Sequence, residues 1–395
     1  MKKTKTINRS SSSSSSSSVE SEIGEDIIFQ EILPRLPINS IFRFISVSKK
    51  WLNLITRDPL FHALHSQKCP NITSSGFLCP ESKLFISSDD QYYQFKWSKL
   101  EFMSSPLVKF SACTNGLLYG TLNHYREIFI FNPITKHTVS IPNSKSRGML
   151  GLATNPDFGF TMVSVAVSRE RHGLLKFKVY SPKTAEWRVS KNDSMIPAYN
   201  YLFLRKSQVV FPGGNKVYWS LVKGILWFDV EKEVAGLIEC PDLDNLLVTH
   251  PLQHRSFTSI GVCDGELSYI KFTKKGEVKV WLLREKSNEF KWTRKLDTVN
   301  LQRIFEKNWN VITKIFEKLV LKNPEEASEH FIQAGYAFPL PYSGGEDLWF
   351  TITLNSDPKV FLFNLRTEEL KLIRDDVLIT YPIFPFIPTL LPCPI

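Results

Sequence analysis

Cysteine is scarce in this chain, and its six cysteines form no CxxC pair. This scarcity argues against a disulfide-stapled scaffold and against a structural zinc site of the usual spacing. We therefore expect reduced thiols, as in proteins of reducing compartments. Apolar runs are short as well, because no stretch reaches the roughly 18 residues that a membrane-spanning helix requires. Residues 1–5 also lack the apolar core of a secretory signal.

Basic residues outnumber acidic ones, 49 to 39, but they are not concentrated in runs of five or more. A basic surface speeds encounters with acidic partners without identifying them. A stripe of basic residues for nucleic-acid binding is not indicated. We expect neither a nucleic acid nor a membrane as a partner.

Signatures of catalysis are missing too, since the sequence has no Gly-rich phosphate loop, no G-x-S-x-G and no paired-carboxylate motif. His250 and His254 have the i, i+4 spacing of two metal ligands on a helix. Pro251 between them and the missing acidic partner argue against a zinc-peptidase site. We expect no metal, no cofactor and no catalytic residue.

Residues 10–18 are all serine, and such a leader is expected to be disordered. A helical pattern follows it. Gly24 and two acidic residues suit a helix start, Ser48 suits the cap of a third helix, and Asp58-Pro59 suits the start of a fourth. One apolar helix face is formed by Ile38, Ile41, Phe42 and Ile45. A unit of about 45 residues struggles to bury its own apolar surface. It is therefore predicted to dock on a partner protein, or else to pack on the rest of the chain.

Short β-like runs replace the helical pattern after this unit, and they repeat. A strand that ends in an aromatic residue before a turn recurs at Phe131, Tyr180, Phe228, Trp281 and Phe363. Successive copies lie 49, 48, 53 and 82 residues apart. A repeat near 50 residues with several strands is typical of propeller blades. The long last step contains residues 301–322, whose apolar spacing predicts an inserted helix, or a helix pair that continues through residues 325–333.

Five blades are directly visible in this repeat. Runs near residues 84–87 and 92–97, with a strand near residues 371–373, are expected to complete another blade and close the ring, which removes exposed sheet edges. We predict about six blades, and a twisted two-sheet sandwich is the alternative.

The helical residues resemble a known family. The F-box of plant F-box proteins is closely resembled by the run Glu25-Asp26-Ile27-Ile28-Phe29-Gln30-Glu31-Ile32-Leu33-Pro34-Arg35-Leu36-Pro37. The blocks Ser40-Ile41-Phe42-Arg43-Phe44, Val47-Ser48-Lys49-Lys50-Trp51, Leu54-Ile55 and Asp58-Pro59-Leu60-Phe61 continue the resemblance in the same order. Later blocks look like the F-box-associated, kelch-related domain of the same proteins; they include Asn115-Gly116-Leu117-Leu118, Phe131-Asn132-Pro133 and Phe228-Asp229-Val230-Glu231. The chain departs from the family at Ile23-Gly24, where Leu-Pro is usual, and in the insertion.

The resemblance implies an α+β multidomain fold, with a small all-α F-box followed by an all-β propeller. The expected divisions are a disordered leader at 1–22, the F-box at 23–66, a linker at 67–83, the propeller at 84–380 with its helical insertion at about 300–333, and a Pro-rich tail at 381–395. His62 and His65, in the fourth helix, are expected to face solvent.

The resemblance also implies a function. Such a chain is the substrate-recognition subunit of an SCF-type cullin–RING ubiquitin ligase, located in the nucleus or cytoplasm. Its F-box binds a Skp-type adaptor, and through it cullin and a RING protein, while the propeller holds an unidentified target protein. The adaptor contacts expected from the match are Ile28, Ile32, Leu36, Pro37, Ile41, Val47, Ser48, Lys49 and Trp51. Trp51 is more readily explained as core, and Pro37 and Lys49 as contacts.

Two alternatives stay open: an F-box and propeller protein that acts outside a ligase, and a catalytic kelch-like propeller. The target surface is expected on propeller loops. The inserted helix is one candidate for it, although an apolar face that packs on a blade explains its pattern better.

Overall fold

The computed structural model describes most of the chain. The described residues are 24–36, 38–69, 76–82, 84–87, 108–122, 126–145, 148–154, 159–168, 173–191, 195–197, 208–221, 224–241, 257–286, 289–296, 299–317, 319, 321–333, 336–354, 357–374, 383–390 and 393. The first of these ranges form a helical unit, residues 24–69, and the others build a propeller. No helix among these residues is long and apolar enough to cross a membrane.

The helical unit begins with a short helix, α1 (Glu25–Ile27), which continues as a π-helical turn (Ile28–Ile32) and a 3-10 turn (Leu33–Arg35). Pro34 lacks a backbone N–H, which explains why the regular helix stops there. Three helices follow: α2 (Ile38–Phe44), α3 (Lys49–Arg57) and α4 (Pro59–Lys68). The predicted helices and their order are confirmed.

Six antiparallel sheets follow among the described residues, and they form the six blades of the propeller. Blade 1 contains β3 (Lys109–Thr114), β4 (Leu117–Leu122), β5 (Glu127–Phe131) and β6 (Thr138–Pro142). Blade 2 contains β7 (Met149–Thr154), β8 (Phe160–Val167), β9 (Leu175–Ser181) and β10 (Glu186–Val189). Blade 3 contains β11 (Val209–Val210), β12 (Lys216–Ser220), β13 (Gly224–Asp229) and β14 (Val234–Glu239).

The remaining sheets are blades 4, 5 and 6. Blade 4 contains β15 (Thr258–Cys263), β16 (Glu266–Phe272), β17 (Glu277–Lys286) and β18 (Glu289–Arg294), with β19 (Val299–Asn300) beside β17. Blade 5 contains β20 (Ala337–Pro339), β21 (Asp347–Leu354), β22 (Asp357–Asn364) and β23 (Leu370–Arg374). Blade 6 contains β1 (Gly76–Cys79), β2 (Leu84–Ser87) and β24 (Phe384–Phe386).

Blade 6 closes the ring by pairing two distant parts of the chain. β24 pairs with β1, and β1 pairs with β2. Two boundaries therefore differ from the sequence prediction, because β1 lies within the predicted linker and β24 within the predicted Pro-rich tail. The expected strand near residues 371–373 is β23 of blade 5, and residues 92–97 lie outside the described part.

The aromatic repeat seen in the sequence marks the turn between the third and fourth strands of a blade. In blades 1, 3 and 5 an Asn or Asp follows the aromatic residue, and its side-chain oxygen accepts backbone N–H bonds two and three residues later. The first of these bonds, to Asn132, Asp229 and Asn364, measure 2.7, 3.0 and 3.0 Å. Such Asx turns hold the chain reversal that each blade needs.

A positive φ recurs five residues after the aromatic in four of the blades, at Lys136, Ala185, Glu233 and Glu368. A residue of left-handed conformation after a tight turn is usual in longer hairpin loops. The repeated spacing in the sequence is thus the spacing of one turn geometry. Each blade contains this turn once, so the turn recurs in the sequence with the period of a blade, about 50 residues.

The insertion between blades 4 and 5 contains three helices in its described part: α5 (Leu301–Lys307), α6 (Trp309–Ile315) and α7 (Pro324–Gln333). Asn308 separates α5 from α6, since its amide donates to the carbonyls of Ile304 and Glu368 and its oxygen accepts from Leu370 N. The apolar side chains of these helices are buried against blades 4 and 5; they are Leu301, Ile304, Phe305, Ile312 and Phe316. The propeller therefore covers this apolar face of the insertion.

The helical unit packs against one end of the propeller. Its core includes Leu390, from the segment after β24, and is bordered by Ile134, from the turn between β5 and β6. The turn between β3 and β4 lies at the same end, because Gly116 there contacts Ile387 and Thr389. The described turns between second and third strands, such as residues 273–276 of blade 4, lie at the opposite end, as antiparallel order requires.

Candidate protein-docking surface

Two capped helix starts hold the helical unit in shape. The Ser48 hydroxyl accepts a hydrogen bond of 3.2 Å from the backbone N–H of Trp51 at the start of α3. The Asp58 carboxylate accepts bonds from the N–H groups of Leu60 and Phe61, at 2.8 and 3.2 Å, at the start of α4. Both caps satisfy backbone donors that a helix start leaves unpaired, as the sequence predicted.

Trp51 ties three helical segments together. Its ring packs edge-on against Phe29, with 5.4 Å between ring centroids, and lies tilted against Phe44, with 5.3 Å between centroids. The neighbouring Lys50 lies over the Phe29 ring and pairs with the carboxylate of Glu25. The first turn of α3 is therefore fixed beside α1, and the half-buried Trp51 has a clear structural role.

Exposed apolar side chains are concentrated on this small unit. Eleven large hydrophobic residues in the described part of the chain are exposed, and five of them belong to residues 24–69; these five are Ile27, Ile32, Val47, Leu52 and Leu60. Val47 is 58% exposed and Leu60 is 80% exposed. For its length the unit exposes more apolar side chains than the propeller does, which favours a protein-interaction surface.

The structure describes eight of the nine predicted contact residues and separates them into exposed, half-buried and buried groups. Exposed at the surface are Ile32, Val47, Ser48 and Lys49, while Ile28, Leu36 and Trp51 are half-buried. Pro37 lies outside the described residues. Ile41 needs correction as a contact residue, because it is fully buried between helices and a partner cannot reach it in this conformation. Val47 and Ser48, at the end of the α2–α3 connection, and Lys49, the first residue of α3, are consecutive and form the most compact group.

Sequence reasoning missed three exposed apolar residues, Ile27, Leu52 and Leu60. Leu52 and Leu60 belong to helices that also bury apolar residues, Ile55 and Phe61, so hydrophobicity alone does not distinguish the exposed ones. Leu52 lies three residues before the buried Ile55, on the same side of α3, so helical spacing does not reveal its exposure. Leu60 sits in the first turn of α4, next to its cap.

His62 and His65 do not face solvent as the sequence suggested; both are buried. The Nε2 atom of His62 bonds the Ile55 carbonyl at 2.8 Å, and that of His65 bonds the Leu36 carbonyl at 3.0 Å. These carbonyls accept, so both rings carry a proton on Nε2 and join neighbouring segments. Burial lowers the pKa of both imidazoles.

The cysteines are poor candidates for chemistry. Burial raises the pKa of Cys79, Cys113 and Cys393 to about 12, and that of Cys240 and Cys263 to about 11, so all five stay thiols at neutral pH. Within the described ranges no three metal-ligating side chains cluster. His250 and His254 lie outside those ranges.

Comparisons with known proteins match both parts of the molecule. Residues 26–63 match the F-box domain model, and residues 96–312, more than half of the chain, match the model described as F-box protein At3g26010-like, beta-propeller. The chain belongs to the At3g26010-like F-box proteins. The helical unit is thus an F-box, a domain that generally binds Skp-type adaptors.

Three relatives from Arabidopsis thaliana extend this match. The putative F-box protein At4g38870 is 24% identical over 314 residues, which are 70% of this chain and 69% of the relative. F-box protein At5g49610 is 26% identical over 247 residues, 55% of this chain and 64% of the relative. F-box/kelch-repeat protein At3g23880 is 21% identical over 316 residues, 71% and 81% of the two chains.

Proposed function

We propose that this F-box protein is the substrate-recognition subunit of an SCF-type cullin–RING ubiquitin ligase. The observation that carries the proposal is the high share of exposed apolar side chains on the F-box, five of the eleven in the described chain, because a partner protein would cover such groups. The F-box would bind a Skp-type adaptor, and through it cullin and a RING protein. The chain would add no catalytic group, and would act by holding the target near the ubiquitin thioester.

The target would bind at the end of the propeller opposite to the F-box. This end carries the described turns between second and third strands and the residues that follow β6, on which specificity can vary without disturbing the strands. Exposed basic residues of this end include Arg126, Lys145, Lys274 and Lys275. Their charge favours a target with an acidic segment. A kelch relationship of the propeller belongs to the same proposal, and the name of At3g23880 supports it.

A nuclear or cytoplasmic location is part of the proposal as well. All six cysteines are unpaired, which is usual in reducing compartments.

The test is recovery of the adaptor and cullin with the full chain. Val47→Asp places a charge in the exposed α2–α3 connection, where the F-box core is not disturbed. Val189→Asp is the matched control, because Val189 is an exposed valine (45%) at the end of β10, on the propeller. We expect wild type and the control to recover adaptor and cullin, and Val47→Asp to lose both. Adaptor without cullin would favour a role outside a ligase, and equal recovery by all three chains would contradict the docking surface.

A further inference from the structure

The core of the F-box contains a residue from the last described part of the chain, after the final strand of the propeller. Leu390 is fully buried, and it clusters with Leu33, Ile41 and Phe61 of the F-box helices. It belongs to the closing segment, residues 383–393, which starts with β24 and of which residues 391 and 392 lie outside the described part. The same segment therefore closes the propeller ring and fills the F-box core.

Blade 1 holds the closing segment on both sides of Leu390. The Asn132 side-chain amide donates a bond of 3.0 Å to the Thr389 carbonyl, and the Cys393 thiol donates to the His137 carbonyl at 3.1 Å. Asn132 is itself fully buried, and its oxygen fixes the turn that carries Ile134, a neighbour of the F-box core. The position of Leu390 is thus set by the propeller and not by the F-box.

Gly116 shows how closely the segment lies on blade 1. Its φ is +75°, and a Cβ added there would overlap the Thr389 side chain and the Ile387 carbonyl oxygen. The carbonyl belongs to the backbone, so it cannot turn away as a side chain does. Any side chain at position 116 must displace the closing segment.

We propose that the closing segment is a clasp through which the F-box depends on a closed propeller for its adaptor-binding conformation. The inference rests on the proposed adaptor binding and adds a condition to it. An F-box of about 45 residues buries little surface by itself, so the loss of one core side chain removes a large part of its stability. A chain whose ring has not closed lacks Leu390 in the F-box core and presents few competent F-boxes. Only the completely folded receptor then joins the ligase.

A glycine pair in the full chain tests the clasp from the propeller side. Gly116→Ala displaces the closing segment, whereas Gly265→Ala makes the same change in the corresponding turn of blade 4, where φ is +77° and no atom lies within 4 Å of the added Cβ. Both variants strain their own turn equally. We expect hydrogen exchange to speed up in α2, α3 and α4 for Gly116→Ala only. Equal F-box exchange in both variants would overturn the clasp.

A leucine and isoleucine pair tests it from the F-box side. Leu390→Ala removes the buried side chain, and Ile387→Ala removes a neighbouring side chain that is exposed. Adaptor affinity falls with the fraction of competent F-boxes, so we expect binding about tenfold weaker for Leu390→Ala and unchanged for Ile387→Ala. Wild-type affinity in Leu390→Ala would overturn the clasp. If wild type itself does not bind the adaptor, the proposed function fails, and the exchange experiment still decides on the clasp.

Discussion

The F-box and the propeller bury their apolar side chains in different ways. The propeller closes on itself, so each blade covers the face of the next, and large side chains such as Trp219 and Phe350 are fully buried. The F-box is too small for this. It leaves Val47 and Leu60 exposed and takes Leu390 from elsewhere to complete its core. A closed repeat is therefore a self-sufficient scaffold, whereas the small helical unit is built to be covered.

The largest expected loss of stability follows from a substitution in the core of the propeller. Trp219 lies in the shared core of blades 2 and 3, and its indole N–H donates to the Leu150 carbonyl at 3.3 Å. Trp219→Ala should lower the free energy of unfolding by about 3–5 kcal/mol, since a large cavity is left in a rigid core. Denaturant titration followed by tryptophan fluorescence measures it. A loss below about 1 kcal/mol would show that the blades are not tightly packed.

A smaller loss of stability is expected when an ion pair between two blades is removed. Arg188 of β10 pairs bidentately with Glu233 of blade 3, whose carboxylate is buried while the guanidinium is half exposed. Arg188→Ala should cost about 1–2 kcal/mol, less than a fully buried pair because solvent screens the arginine. The exposed pair of Lys322 and Glu326 is the control, and Lys322→Ala should change stability by less than about 0.5 kcal/mol.

The same pair predicts acid sensitivity of the propeller. The hydrogen bond from Arg188 lowers the pKa of Glu233. A carboxyl with a lowered pKa in the folded state stabilises the protein above its unfolded pKa, and this stabilisation is lost as pH falls through the folded value. Wild type and Arg188→Ala should therefore differ in thermal midpoint at pH 7 and converge at strongly acidic pH. A difference that stays constant with pH would contradict the ion pair.

As pH falls, the F-box should begin to lose stability at a higher pH than the propeller does. Burial lowers the pKa of His62 and His65 from 6.5, so the unfolded chain binds protons that the folded F-box does not. The contribution of these two histidines to the free energy of unfolding is then constant above about pH 6.5, and it falls as pH drops below that value. Hydrogen exchange in α3 and α4 between pH 7 and pH 5.5, corrected for intrinsic rates, measures this. His65→Gln keeps a donor for the Leu36 carbonyl without a titrating group, so it should flatten the response.

The smallest expected effect is at a helix cap. Ser48→Ala removes the bond to Trp51 N and should destabilise α3 by about 1 kcal/mol. Exchange of the α3 amides in the full chain should then rise roughly fivefold, while exchange in the propeller strands stays unchanged. A rise in the strands as well would mean that the F-box and the propeller unfold as one unit.

The sequence predicts those parts of the fold that repeat or lie close together in the chain. The caps at Ser48 and Asp58 and the turns after Phe131, Phe228 and Phe363 follow from local spacing, and they are confirmed. Fold class follows from the same period. The domain boundaries and the full contact set stay predictions, apart from the differences described for β1, β24 and Ile41.

What the sequence does not reveal depends on contacts between distant residues. β24 has three residues with a proline among them, too few for an alternating pattern to be visible. Its pairing with β1 joins the first and last strands of the described propeller. The burial of His65 likewise depends on the Leu36 carbonyl, 29 positions earlier. No local pattern marks such a contact, because the chain reaches it only after folding.

The most direct test of the difference between the two regions is hydrogen exchange of the full chain with and without a purified Skp-type adaptor. We predict that the adaptor slows exchange in α1, α2 and α3, around Val47 and Ser48, and leaves the six blades unchanged. Protection located in the propeller blades, or no protection anywhere, would contradict the assignment of the F-box as the docking surface.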